Sequence, residues 1–439
     1  MRNQLLTVSG THRAESHAKG REKRKRCPSP TIGIVPDMRV LAPNYTPLDI
    51  TLSHGEGAWV TDIHGDRYLD CLAGYSAVNF GHANPRLVAA AQEQVGTLTL
   101  VSRAFNHELL VPYAEALTSL TGTETMLPMN TGAEAVETAI KAARKWGYLV
   151  KHIPDDRANI VVAANSFHGR TTTIISFSTD EKARDHYGPY TPGFTIVPYD
   201  DAAAVAAAMT EYTVAILIEP IQGEAGVVIP TPDYLPRLRA IADEWGALLI
   251  VDEIQAGLGR TGWTLDQQRV GVKADLTTLG KALGGGIMPV SAVVGLHDVL
   301  SLMTPGTHGS TFGGNPLAAR IGLEVVSMLE TGEYQQRARD LEGYFGERLD
   351  ELAADGLVNA TRHVGLWAGV DANPRLGLTG RQICEGLQAR GVLAKDTHGS
   401  TIRLAPPLVI ERDELALAMD ALADTLHAAH RELAVVTVA

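Results

Sequence analysis

The chain has 439 residues, 45% hydrophobic and 20% charged, with a formal net charge of −12. Such a length supports two domains around an ample core, and the acidic balance argues against general nucleic-acid binding, which depends on neutralising phosphates with lysine and arginine. Cys27, Cys71 and Cys384 are too few and too widely spaced for a disulfide framework or metal cluster, and no apolar run reaches the roughly eighteen residues of a membrane span. A soluble, cytoplasmic protein acting on small metabolites, with no metal, is the expectation.

Residues 1–36 carry the basic cluster Arg21-Glu-Lys-Arg-Lys-Arg26 and then Cys27-Pro-Ser-Pro30, without core-forming periodicity, and are expected to be a disordered tail. Glu15, Glu22 and the clustered lysines fit an organellar transit peptide poorly. Residues 37–85 form the next segment. Alternation in Gly57-Ala-Trp-Val-Thr-Asp62 and Arg67-Tyr-Leu-Asp70, around the turn at Gly65, predicts a small antiparallel meander. Gly74-Tyr75-Ser-Ala-Val-Asn79 then reads as a loop carrying Tyr75, with Pro85 opening a helix.

Residues 86–335 read as a large α/β domain. Asn130-Thr131-Gly132-Ala133 opens a helix whose apolar positions Ala133, Val136, Ile140 and Ala143 follow helical spacing, with Glu137 and Lys141 paired on its outer face. Its first turn suits a phosphate and equally suits a plain polar cap. Strands are predicted at Ile160–Ala163, Ile174–Phe177, Val214–Ile218, Leu248–Val251 and Ser291–Val294, and this alternation with helical or loop stretches indicates a mainly parallel sheet covered on both faces. Phe167, after the first of these, is either a core aromatic or an exposed ring for stacking.

Two stretches carry candidate chemistry. Gly246-Ala-Leu-Leu-Ile-Val-Asp252-Glu-Ile-Gln255 is a buried-strand run that stops at an acid. Ala274-Asp-Leu-Thr-Thr-Leu-Gly-Lys281 is a strand ending in a glycine and a lysine. At the carboxyl end of an α/β strand, a lysine shielded from water has its pKa lowered toward the nucleophilic amine; the same letters also fit a solvated lysine in a glycine-rich turn. The pair of an amine and an acid is what pyridoxal phosphate needs, one for its aldehyde and one for its ring nitrogen. From residue 336 to 439 the chain reads as an α+β minor domain. Strands are predicted at Val392–Lys395 and Thr401–Leu404, followed by a helix with Leu415, Met419, Leu422, Leu426 and Leu433 on one face.

Asp252-Glu-Ile-Gln255, Gly259-Arg-Thr-Gly262, Gly280-Lys281 and Gly309-Ser-Thr-Phe-Gly-Gly-Asn-Pro316, in this order, resemble the class III aminotransferases. The resemblance runs from about Asn44 to the C-terminus. It implies fold type I: a large pyridoxal-phosphate-binding domain, plus an α+β minor domain formed by the C-terminal part and the N-terminal segment. It implies that Lys281 carries the cofactor and moves the proton, Asp252 faces the ring nitrogen, Phe167 and Ile254 cover the two ring faces, and Gln255 reaches the phenolic oxygen. Thr131, Gly132 and Ala133 would hold the phosphate, while Ser310 and Thr311 would reach the cofactor phosphate of a neighbouring subunit in a homodimer.

For the substrate, the resemblance implies that Arg403 grips an α-carboxylate by a bidentate pair and that Glu224 covers it in one half-reaction. Tyr45 and Arg170 would hold the α-amino and α-carboxylate ends of L-ornithine, and Tyr75 would shape the pocket floor. The expectation is ping-pong transfer of the δ-amino group of ornithine to a 2-oxo acid such as 2-oxoglutarate. Acetylornithine and 4-aminobutyrate aminotransferases are the near alternatives; an aminomutase, a racemase or a non-catalytic relative are the distant ones.

Overall fold

The computed structural model describes residues 40–397 and 399–438, the last seven by backbone alone. The expected basic tail, residues 1–36, lies outside them, and so does the side chain of Leu433. Residues 40–49 belong to a unit, Met1–Asp49, separate from the unit Ile50–Ala439; in it the Asn44 N–H donates to the Ala42 carbonyl at 2.8 Å.

In the second unit the expected meander is present as β1 (Leu52–Glu56), β2 (Trp59–Asp62) and β3 (Arg67–Asp70), antiparallel throughout. Gly65 at φ 94° makes the β2–β3 turn, a backbone region that glycine enters without a Cβ penalty. Pro85 opens the helix Pro85–Val95, whose N-cap Asn84 accepts from the Arg86 N–H.

The central sheet contains β4 (Thr125–Met129), β5 (Asn159–Ala163), β6 (Phe194–Val197), β7 (Thr213–Ile218), β8 (Leu248–Asp252), β9 (Leu276–Leu279) and β10 (Ser291–Gly295), in the order β4-β10-β9-β8-β7-β5-β6. Only β10 runs against its neighbours, so the mainly parallel sheet is present. Every residue of β7, β8, β9 and β10 is buried, the pattern of strands covered on both faces. The helix Gly132–Leu149 packs Val136, Ile140 and Ala143 into one of the apolar clusters beside it.

Two local expectations fail here. Ile174–Phe177 is not a strand: Thr172–Ile175 is a short helix, because the Thr171 side chain caps it by accepting from the Ile174 N–H, and its apolar side chains are buried without strand pairing. Glu137 and Lys141 are not paired, because each has a tertiary partner: Glu137 accepts from Thr171 Oγ1 at 2.6 Å and Lys141 Nζ lies 3.0 Å from His308 Nδ1.

The C-terminal part contributes β11 (Val358–Val364), β12 (Trp367–Ala372), β13 (Val392–Leu393), β14 (Lys395–Asp396) and β15 (Thr401–Leu404). Val392–Lys395, expected as one strand, breaks at Ala394 because its halves join different sheets. β13 extends the meander by pairing parallel with β3, and β14 pairs antiparallel with β15. The helix Arg412–Val438 buries Leu415, Met419, Leu422 and Leu426 as its spacing predicts. No helix among the described residues is long and apolar enough to cross a membrane.

Candidate active site

The ends of β8 and β9 place the two groups that chemistry would need. Asp252 closes β8, nearly buried, with Oδ1 accepting from the Ile254 N–H at 3.1 Å and Thr278 Oγ1 at 2.9 Å. Its other oxygen lies 2.7 Å from His168 Nδ1. A carboxylate can only accept, so the imidazole donates from Nδ1; His168 Nε2 is buried without a partner. Burial alone would lower the His168 pKa, but the hydrogen bond and charge of Asp252, with Glu219 beyond, raise it. Glu219 is itself pushed up to about 7 by burial, against the pull of His168 and of the Phe167 and Gly223 N–H groups it accepts from.

Lys281 follows β9 at φ 45°, a left-handed conformation that a side-chain-bearing residue adopts at a cost. Burial lowers its pKa, with Glu224, Asp252 and Glu219 opposing. Lys281 and Asp252 line one cavity of about 180 Å³ together with Gly132, Ala133, Phe167, Ile254 and Gln255. A Cβ at Gly132 would stand 3.0 Å from the Ile254 side chain and one at Gly280 3.3 Å from it, so both glycines let Ile254 wall the cavity. The helix Gly132–Leu149 starts at the same wall. Thr131 and Glu134 form its capping box, and the Gly132 and Ala133 N–H groups have no intrahelical acceptor.

A second cavity of about 340 Å³ shares Phe167, His168 and Gly169 with the first and is bounded by Glu224. Here Arg403, on β15, donates from Nη1 to Glu224 Oε1 at 2.7 Å and to the Gly223 carbonyl at 3.2 Å. Gln255 Nε2 donates to the same Glu224 oxygen at 3.3 Å, while Gln255 Oε1 and Arg403 Nε are buried without partners. Gly223 is forced to be glycine, since a Cβ there would overlap the Gln255 amide and come 2.7 Å from Trp367.

Tyr75 sits under Arg403, whose guanidinium carbon is 5.2 Å from the phenol ring centre. It is not in a simple loop. Ala73, Gly74, Tyr75 and Ser76 all have positive φ, from 47° to 75°, at on the order of 1–2 kcal/mol for each residue with a Cβ.

Of the other sequence-predicted residues, Arg170 is exposed with its guanidinium 5.4 Å from the centre of the Phe167 ring. Ser310 Oγ accepts from Asn130 Nδ2 at 2.7 Å, and Thr311 is exposed. Neither lines the first cavity, nor does Thr131. Tyr45 belongs to the other unit, Met1–Asp49, where it is exposed.

Residues 40–426 match the family described as aminotransferase class-III. The chain is a class-III aminotransferase. It is 51% identical over 385 residues to the ornithine aminotransferase of Bordetella pertussis, covering 88% of this chain and 93% of that one. With the ornithine aminotransferase of Staphylococcus carnosus it shares 47% over 379 residues, 86% and 94% of the two chains. Among solved structures, the ornithine aminotransferase of Toxoplasma gondii superposes with a TM-score of 0.88 at 39% identity over 90% of this chain and 94% of that one. An acetylornithine aminotransferase from Elizabethkingia anophelis reaches 0.80, also at 39%, over 88% and 96%.

Within this class-III site, His168 and Glu219 escaped the sequence reading. His168 stands in Ser166-Phe-His-Gly-Arg170 beside two residues that were singled out, so the signal was present. Glu219 closes β7 as Asp252 closes β8, and an acid at the end of a buried strand could have marked it.

Proposed function

We propose that this chain transfers the δ-amino group of L-ornithine to a 2-oxo acid, 2-oxoglutarate foremost, using pyridoxal phosphate and giving glutamate 5-semialdehyde and glutamate. The first cavity fits the cofactor's donor set: an amine at Lys281, an acid at Asp252, apolar walls at Phe167 and Ile254, an amide at Gln255 and free N–H groups at Gly132 and Ala133. When bound, the cofactor supplies an electron sink for the carbanion left by proton removal.

The chain's own residues do the remaining work. Asp252, oriented by donors from Ile254, Thr278 and His168, would face the ring nitrogen, and Gln255 would serve the phenolic oxygen. The Lys281 amine, with its pKa lowered by burial, takes the proton from the amine-bearing carbon and returns it on the other side of the transfer. Phe167, anchored through its N–H to Glu219, stacks on the ring, and Thr131 orders the phosphate turn.

The observation that carries the reading is the Glu224–Arg403 ion pair at 2.7 Å beside the Lys281 cavity. A receptor arginine covered by a movable acid admits the α-carboxylate of a 2-oxo acid when uncovered. Covered, it obliges a diamino acid to present its distal amine. Arg170 and Tyr75 serve the other end of the donor. The relatives at 51% and 47% identity support ornithine as donor. N-acetylornithine has narrower support, from the Elizabethkingia anophelis structure. A donor panel of ornithine, N-acetylornithine and 4-aminobutyrate with 2-oxoglutarate, scored for pyrroline-5-carboxylate, tests the assignment; preference for either other donor refutes it.

The active form is proposed to be a homodimer in which Ser310 and Thr311 serve the neighbouring copy. Phe105, Val111 and Phe312 are exposed apolar side chains on two segments tied together by His107 Nε2 and the Gly314 carbonyl at 2.8 Å. Sedimentation of the active enzyme as a monomer would refute this.

A further inference from the structure

We propose that the left-handed turn Ala73–Ser76 is a positioning device for the substrate carboxylate, and that Asp70 and Arg260 are its positioning residues, holding the Tyr75 ring against Arg403. The inference rests on the reading of Arg403 as carboxylate receptor and deepens it.

Four successive residues with positive φ, three of them bearing side chains, persist only where the surroundings over-determine them. Reversing the chain between β3 and the next helix does not require this; single glycines accomplish it elsewhere, as at Gly65 in the β2–β3 turn. Both ends of the turn are clamped. At its start, Asp70 Oδ1 accepts from the Leu72 and Ala73 N–H groups at 2.8 and 3.0 Å, and Asp70 Oδ2 is held by His82 Nε2 at 2.8 Å. Just past its end, Asn79 accepts from Arg260 Nη2 through Oδ1 and donates to the Leu258 carbonyl at 3.2 Å.

The same clamps grip the backbone that follows Arg403. The Ala405 N–H donates to the Cys71 carbonyl at 2.7 Å and the Leu408 N–H to the Asn79 carbonyl at 2.7 Å. Arg260 Nη1 donates to the Pro406 carbonyl at 2.7 Å and to the Leu366 carbonyl at 2.8 Å. Arg260 is fully buried, and these hydrogen bonds all go to neutral acceptors. A guanidinium so placed ties separate segments together with a rigid planar fork: here it joins the Asn79 side chain, on the segment that leads from Tyr75, to the Pro406 carbonyl, on the segment that leads from Arg403, with Leu366 as a third anchor. Register between phenol and guanidinium is thereby fixed from behind, without Asp70 or Arg260 lining either cavity.

The test is a cycle on the holoenzyme: wild type, Asp70→Ala, which removes the acceptor for the Leu72 and Ala73 N–H groups, Tyr75→Leu and the double variant, with Arg403→Lys as control, each assayed for kcat and KM toward 2-oxoglutarate. Each single variant is expected to lower kcat/KM about tenfold, through KM, and the double variant no further than either single one, because both act through one contact. Multiplicative losses, or a loss in kcat alone, would overturn the proposal, since a merely structural role produces those. If Arg403→Lys raises KM and Asp70→Ala does not, the positioning proposal alone falls; if Arg403→Lys leaves KM unchanged, the receptor reading falls and takes the proposal with it. Should Asp70→Ala fail to fold, His82→Gln loosens the same anchor and is expected to raise KM about threefold with non-additivity toward Tyr75→Leu; full additivity there is equally fatal.

Discussion

Asp252 and Lys281 stand at the ends of adjacent strands of one buried sheet, whereas Tyr75, Glu224 and Arg403 come from a strained turn, a loop and a strand of another sheet. The first pair inherits its geometry from backbone hydrogen bonding between β8 and β9. In the second group only Arg403 has strand pairing, on β15 between β12 and β14; Tyr75 and Glu224 are tied to it through side chains and carbonyls, by Arg260, Asn79 and the Glu224–Arg403 pair itself. The difference suits the two tasks. Proton transfer needs fixed groups, while an enzyme that accepts two substrates in turn needs a contact that can be made and unmade, the role proposed for Glu224 on Arg403.

Breaking the strand-end half should have the largest effect. Lys281→Ala is expected to fold normally and lose at least about 10³-fold in kcat with every donor, as removal of a proton-transfer group does; circular dichroism and turnover assays check this. Next, Gly223→Ala inserts a Cβ into the Gln255 amide, next to Trp367. Displacing Gln255 and the Glu224 loop by about 1 Å is expected to cost about 10²-fold in turnover, read as kcat/KM for both substrates. Arg403→Lys strikes the second group alone. Loss of the guanidinium geometry is expected to reduce kcat/KM for 2-oxoglutarate about tenfold to a hundredfold, with the ornithine half-reaction less affected.

The smallest effect belongs to the support behind Asp252. Glu219 has a folded pKa raised to about 7, and a group so raised contributes stability that is present below its unfolded value and lost as pH rises through the folded one. His168, also raised, changes with pH in the same sense. Melting temperature should therefore fall between about pH 5 and pH 8, and Glu219→Gln, which keeps an acceptor for the Phe167 N–H, should flatten that fall. An unchanged slope would show that Glu219 does not titrate in this range.

The same contrast explains what could be read from the sequence. A buried strand announces itself as an apolar run and its end as the first polar letter, which marks Asp252 and equally marks the overlooked Glu219, whereas Lys281 is marked by the glycine that ends its strand. The second group has no local signature. Arg403, Glu224 and Tyr75 were reachable only through resemblance to a family, and nothing in Ala73-Gly-Tyr-Ser76 announces a left-handed turn, since its conformation is imposed by Asp70 and by partners hundreds of residues away. Ile174–Phe177 misled for a related reason: four apolar letters suit a strand or a buried helix equally, and the deciding cap at Thr171 lies outside the run.

The most direct test of the two-part site is to follow each half-reaction separately by the cofactor's absorbance in single turnovers, with ornithine and with 2-oxoglutarate, for wild type, Lys281→Ala and Arg403→Lys. Loss of both half-reactions in Lys281→Ala, and a selective loss of the 2-oxoglutarate one in Arg403→Lys, is the expected result. Equal loss of both half-reactions in Arg403→Lys would contradict the division of labour between the Asp252–Lys281 pair and the Arg403 group.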